Sequence, residues 1–164
     1  MTRAILSISI GLLLTVGTAW AGPLEDATVA NKRGDYATAS KTFQSLAAQG
    51  NAEAQNNLGE LHARGQGVPQ DYSQARQWYE KAAAQGHALG QNNLAELYYA
   101  GLGVPQDFVR AYMWVSLAAV HMKGDEQKQA EENRDDVARR MTPEQIAEAK
   151  RLTQQCLAQK FKGC

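Results

Sequence analysis

Between residues 51 and 122 the apolar positions recur at helical spacing in short runs, and each run is followed by a loop of glycine and proline. Leu58, Leu61, His62 and Gly65 share one face at 3.6 residues per turn, and Ala75, Trp78, Tyr79, Ala82 and Ala83 do so in the next run. The pattern predicts two short helices, an A helix and a B helix. Gly65 and Gly67 supply the permissive backbone that ends the A helix. Pro69 stops it from resuming, and Asp71 can cap the first N–H groups of the B helix. Small residues at Ala54, Gly59, Ala75 and Ala82 let backbones approach, with Trp78 and Tyr79 filling the space left.

The same order then repeats. Residues 51–86 and 87–122 are consecutive copies of one 36-residue unit, identical at 17 positions. Gln55-Asn56-Asn57-Leu58 returns as Gln91-Asn92-Asn93-Leu94, and Gly65-x-Gly67-Val68-Pro69-Gln70-Asp71 returns as Gly101-x-Gly103-Val104-Pro105-Gln106-Asp107. Ala75, Trp78, Ala82 and Ala83 return as Ala111, Trp114, Ala118 and Ala119. A unit this short cannot bury its own apolar face, so the copies must stack. The order Leu-Gly, then G-x-G-V-P-x-D-Y, then A-x-x-W-Y-x-x-A-A-x-x-G resembles the Sel-one-like repeat family, the longer-looped relative of the tetratricopeptide repeat. That resemblance implies an all-α fold, a right-handed α-solenoid of antiparallel helix pairs.

The ends depart from the unit. Gly34-Asp35-Tyr36, Ala39, Phe43, Leu46-Ala47 and Gly50 match its second half at the same offset, and the first helix is shortened, so residues 24–50 read as a half-repeat. Downstream, residues 125–140 are strongly charged with apolar positions only at Ala130, Val137 and Ala138, which predicts a helix solvated on most of its surface. Thr142 as N-cap, Pro143 at the first helical position and Gln145 completing a capping box start a last helix. Its stripe is Ile146, Ala149, Leu152, Cys156 and Leu157. Helices within 125–161 thus form the polar cap that a solenoid end requires.

Residues 1–21 belong to another category. Arg3, the apolar stretch Ile5–Thr18 and the site Ala19-Trp20-Ala21 describe a secretory signal peptide cut after Ala21, leaving residues 22–164 as one domain. An uncleaved anchor is the alternative. Export places the mature chain in a periplasmic or secreted, oxidising setting, where Cys156 and Cys164 are the available pair. A structural disulfide is the expectation and a reduced buried pair the alternative. Continuous helix would hold the two Cα atoms about 12 Å apart, so a bridge requires the helix to end within Lys160-Phe161-Lys162-Gly163. The mature chain carries a net charge of about −1, with bases and acids interleaved, which argues against nucleic acid or an anionic membrane as a dedicated ligand. No stable membrane insertion is expected after cleavage.

Candidate chemistry is sparse. Thr38-Ala39-Ser40-Lys41 has T-x-x-K spacing, one letter from a serine-enzyme motif, but lies in a B helix. Glu60 and Glu96 recur because the repeat translates them. His62 reads as an aromatic substitute at the rim of the core, and Trp78 and Trp114 read as core. No catalytic residue, cofactor or metal site is expected. What remains is a surface. Opposite Leu58, Leu61 and Gly65 the A helix presents Asn56, Glu60 and Ala63, flanked by Glu53 and Arg64, and the second copy sets Asn92, Glu96 and Tyr99 beside them. The resemblance implies that such positions line a concave groove. Asn56 and Asn92 could hydrogen-bond a peptide backbone and Tyr99 anchor it. The expected function is a non-enzymatic, exported protein-interaction module with a protein partner in the cell envelope. The alternatives are a β-lactam-binding or β-lactam-hydrolysing enzyme, as implied by some cysteine-bridged relatives, and a scaffold for envelope polysaccharide machinery. Two full repeats make a short groove, so dimerisation to extend it stays open.

Overall fold

The computed structural model describes residues 22–164; the expected signal segment, residues 1–21, lies outside the described residues. Among the described residues the chain is all helix. The elements are α1 (Pro23–Lys32), α2 (Tyr36–Ala48), α3 (Ala52–Arg64), α4 (Tyr72–Ala83), α5 (Ala88–Ala100), α6 (Phe108–His121), α7 (Gly124–Ala138) and α8 (Pro143–Ala158). Each of α1 to α6 packs on its neighbours in sequence, α3 also touches α5, and α6 receives both α7 and α8. The architecture is an α-solenoid of stacked helix pairs.

Local chemistry sets the helix ends. The Asn51 side chain accepts the Ala54 N–H to start α3, and α3 stops at Gly65 in the left-handed region, φ 66°. Asp71 then caps α4 by accepting the Gln74 N–H. In the second copy His87 takes the place of Asn51, Gly101 ends α5 at φ 69°, and Asp107 caps α6. The second glycine of each loop has a different task. A Cβ on Gly67 would lie 2.4 Å from the Tyr36 carbonyl oxygen, and one on Gly103 would lie 2.5 Å from the Tyr72 carbonyl carbon. The G-x-G loop therefore rests on the start of the preceding B helix, and only glycine lets it do so.

The core is alanine-rich because helix backbones meet closely. Ala39, Ala54, Ala75, Ala82, Ala111 and Ala118 are fully buried, with Phe43, Leu61, Leu94 and Leu117 filling between them. Two buried glutamines tie successive pairs: the Gln55 side chain donates to the Ala47 carbonyl and the Gln91 side chain to the Ala83 carbonyl. Trp114 is buried as expected, but Trp78 is only half-buried, and the Lys81 ammonium sits 4.0 Å over its ring. Identical repeat letters have different neighbours: Trp114 lies in the cluster closed by α7 and α8, Trp78 at the edge of the N-terminal cluster.

The C-terminal helices lie against α6. From α7 the residues buried are Ala130 and Val137, and from α8 Ala149 and Cys156. The capping box of Thr142 and Gln145 is formed. Leu157 does not join the stripe: one residue past Cys156 it turns about 100° away and stands exposed. A disulfide joins Cys156 to Cys164 with their Cα atoms 5.6 Å apart. The chain reverses after Ala158 through left-handed φ values at Lys160, Phe161 and Gly163. That turn folds Phe161 inward, edge-on to His121 and against Gly86.

Candidate functional site

The A-helix face carries an amide–carboxylate relay in the first copy. Asn56 donates through Nδ2 to Glu60 Oε1 at 3.1 Å. Asn93, one copy later, reaches back and donates through Nδ2 to Asn56 Oδ1 at 2.9 Å and to Glu60 Oε1 at 3.4 Å. Arg64 adds a loose ion pair to the other Glu60 oxygen at 4.0 Å. Asn56 is 1% exposed. The expectation that Asn56 faces a ligand is therefore corrected. An interior A helix of a solenoid is covered by its own B helix and by the helices on either side, so its free face is narrower than a two-sided projection gives.

Beneath this relay lies Tyr79, buried on Gly59, where a Cβ would come within 2.6 Å of the ring. Burial first, and then the charges of Glu60 and Glu96, hold its hydroxyl well above the ordinary tyrosine range. The first copy is thus closed from below by an aromatic ring and from the side by Asn93.

The second copy holds the same pair, Asn92 and Glu96, but lacks counterparts of Tyr79, Arg64 and Asn93. Val115 stands where Tyr79 does, Ala100 stands where Arg64 does, and the position corresponding to Asn93 is Gln129. Gln129 donates within α7 to Asn133 Oδ1 at 3.2 Å instead of reaching back. Asn92 and Glu96 have no side-chain hydrogen bond or ion pair among the described residues. They border a cleft of about 310 Å³ between α5 and α7. Ala95, Val115 and Val137 form its apolar lining, and Tyr99, Asn133 and Asp136 complete the wall. Tyr99 is steadied by the Phe108 ring at 5.6 Å and by Gln106, which donates to its carbonyl. Asp136 pairs with Arg139 on the open surface.

Of the expected groove residues, Asn92, Glu96 and Tyr99 meet in this cleft. Glu60 is spent on the relay, while Glu53 and Arg64 are exposed at opposite ends of α3. Asn133, Asp136, Val115 and Val137 were not expected. Comparing Val115 with Tyr79 in register signals the first of the openings, whereas the α7 residues have no repeat letter to mark them. Thr38 and Lys41 lie on the exposed surface of α2, where the Thr38 N–H is given to Asp35. Among the described residues no group of three His, Cys, Asp or Glu is placed to hold a metal ion, and no helix is long and apolar enough to cross a membrane.

The family model described as Sel1 repeat matches residues 52–87 and 88–119, the segments spanning α3–α4 and α5–α6. The chain carries two Sel1 repeats. Among solved structures it is similar to c5321, a protective antigen present in uropathogenic Escherichia coli strains that displays an SLR fold. That likeness has 32% identity and a TM-score of 0.77 and covers 85% of this chain and 31% of the other. A Sel1 repeat protein from Oxalobacter formigenes is similar at 33% identity and a TM-score of 0.60, covering 65% of this chain and 44% of the other. The chain thus spans about a third to under half of the length of these two Sel1-type structures. No curated protein matches significantly. Sel1 repeats generally mediate contacts between proteins.

Proposed function

We propose that the mature protein, residues 22–164, is a non-enzymatic interaction module of the bacterial cell envelope that holds a short segment of a partner protein in the cleft between α5 and α7. The observation that carries this reading is the contrast between the copies. The Asn–Glu pair of the first is engaged by Asn93, and the same pair in the second is left open over an apolar floor. Polar groups that converge on an apolar hollow are what a binding site needs to orient an occupant. The disulfide supports export, since such bridges persist in oxidising compartments.

The test is position-specific photocrosslinking in the periplasm. A crosslinking residue at position 133, on the α7 wall, should capture a partner, and one at Lys41, on exposed α2, should not. Capture at position 133 should fall when Tyr99 is changed to Ala, with melting little altered. Equal capture from both positions, or capture indifferent to Tyr99, would sink the cleft reading. Purified mature protein should also leave a chromogenic β-lactam intact.

A further inference from the structure

We infer that the cleft recognises the guanidinium of an arginine side chain carried by the partner segment. The inference rests on the interaction reading above and names the chemistry of the occupant. Its starting point is a donor that the chain itself supplies to the first copy's pair. In the first copy the Asn93 amide nitrogen, a planar N–H₂ donor, is received by two acceptors at once, Asn56 Oδ1 and Glu60 Oε1. The second copy presents the same two acceptors in the same helical register, with no donor delivered to either among the described residues.

Three differences enlarge what the open pair can take. Replacing Tyr79 by Val115 leaves room under the pair, replacing Arg64 by Ala100 removes the cation that accompanies Glu60, and α7 adds a second carboxylate, Asp136. The exchanged Arg64 is itself a guanidinium directed at the first copy's glutamate. Two carboxylates flanking an apolar floor suit a cation on a hydrocarbon stem. Ala95, Val115 and Val137 would lie along the stem. Arginine fits better than lysine because its rigid fork meets two acceptors in one plane, whereas an ammonium acts as a point charge. The Asp136–Arg139 pair does not block this, since both side chains are largely exposed and an exposed pair is weakly held.

The experiment is an NMR titration of the mature protein with Gly-Gly-Arg-Gly-Gly and with the Lys, Gln, Tyr and Glu versions of that peptide, carried through the millimolar range. The expected result is saturable movement of the Asn92 side-chain amide and of the backbone signals of Glu96 and Tyr99 with the Arg peptide. The Lys peptide should bind more weakly, and the other three should leave these signals unmoved. Glu96→Gln should weaken the Arg peptide by roughly tenfold or more and flatten its dependence on salt. Tight binding of the Gln or Tyr peptide, an unchanged affinity in Glu96→Gln, or no saturable shift at Asn92 would each overturn the proposal. If the photocrosslink at position 133 persists and still depends on Tyr99 while the Arg peptide fails, the arginine assignment falls and the interaction reading stands. If both fail, both are wrong.

Discussion

The pairing of a small residue on an A helix with a large one on its B helix is the unit of complementarity in this array. Gly59 sits under Tyr79, and one copy later Ala95 and Val115 hold the same two repeat positions in the wall of the cleft. Adding a methyl where a ring already rests forces a shift, and overpacking of this kind costs about 1 to 3 kcal/mol. Gly59→Ala should therefore lower the midpoint of urea unfolding, and Gly59→Ala combined with Tyr79→Val should recover part of the loss because it rebuilds the second copy's pair. An unchanged midpoint in the single variant would show that Tyr79 moves aside freely. Trp114→Ala should cost about 3 to 5 kcal/mol, and Trp78→Ala less, because Trp78 is only partly buried, at the edge of its cluster with Lys81 over the ring. The two tryptophans carry the same letter at the same repeat position. Periodicity made both legible as inward-facing, while the difference between them depends on the caps, which the repeat does not encode.

At the scale of the helix, one cap is sensitive to pH. His87 starts α5 by accepting the Gly90 N–H on Nδ1, which requires the neutral imidazole. Burial pushes its pKa below the ordinary 6.5, against the opposing pull of Glu53 and Glu60. A base whose folded pKa is lowered binds protons more readily when unfolded, so its contribution is complete above pH 6.5 and declines as pH falls through the lowered folded value. Unfolding free energy should fall as the pH drops below about 6.5, ahead of most carboxylate titration. His87→Asn, which restores the cap residue of the first copy, should remove that slope. A slope that survives the change would assign it to another group. The last helix offers a second test. Its bridge closes a short loop, worth about 2 to 3 kcal/mol on the chain-entropy model, and anchors Phe161 against His121 and Gly86. Reduction should raise amide exchange in α8 before it affects α3 to α6. The need for the helix to end before Cys164 was readable from the sequence, as was Gly163 in the turn. The left-handed backbone at Lys160 and Phe161 was not, because ordinary side chains there give no local signal.

Across the whole molecule the array is legible wherever the chain repeats itself and becomes opaque where it stops. Self-similarity supplied the helix pairs, their loops and their stacking, since a short unit has no other way to bury its face. The same logic misplaced Asn56, because it could not weigh how many neighbours cover an interior helix. It also could not locate the cleft, which arises where α7 abandons the repeat and leans on α6 through Ala130 and Val137. The first copy nevertheless shows how to close that cleft. Changing Val115 to Tyr and Ala95 to Gly together transplants the Tyr79–Gly59 pair beneath Asn92 and Glu96. Glycine inside α5 costs about 1 kcal/mol of helix propensity, and the added ring buries enough apolar surface to offset a cost of that size. The double variant should therefore melt near the parent protein, whereas Val115→Tyr alone should melt lower, with its ring against the Ala95 methyl. Filling the space should abolish photocrosslinking from position 133 and the response to the arginine peptide, although Asn92, Glu96 and Tyr99 are all retained. Partner capture at full strength by a stably folded double variant would move the binding surface away from this cleft, and with it the role assigned to the second copy's open pair.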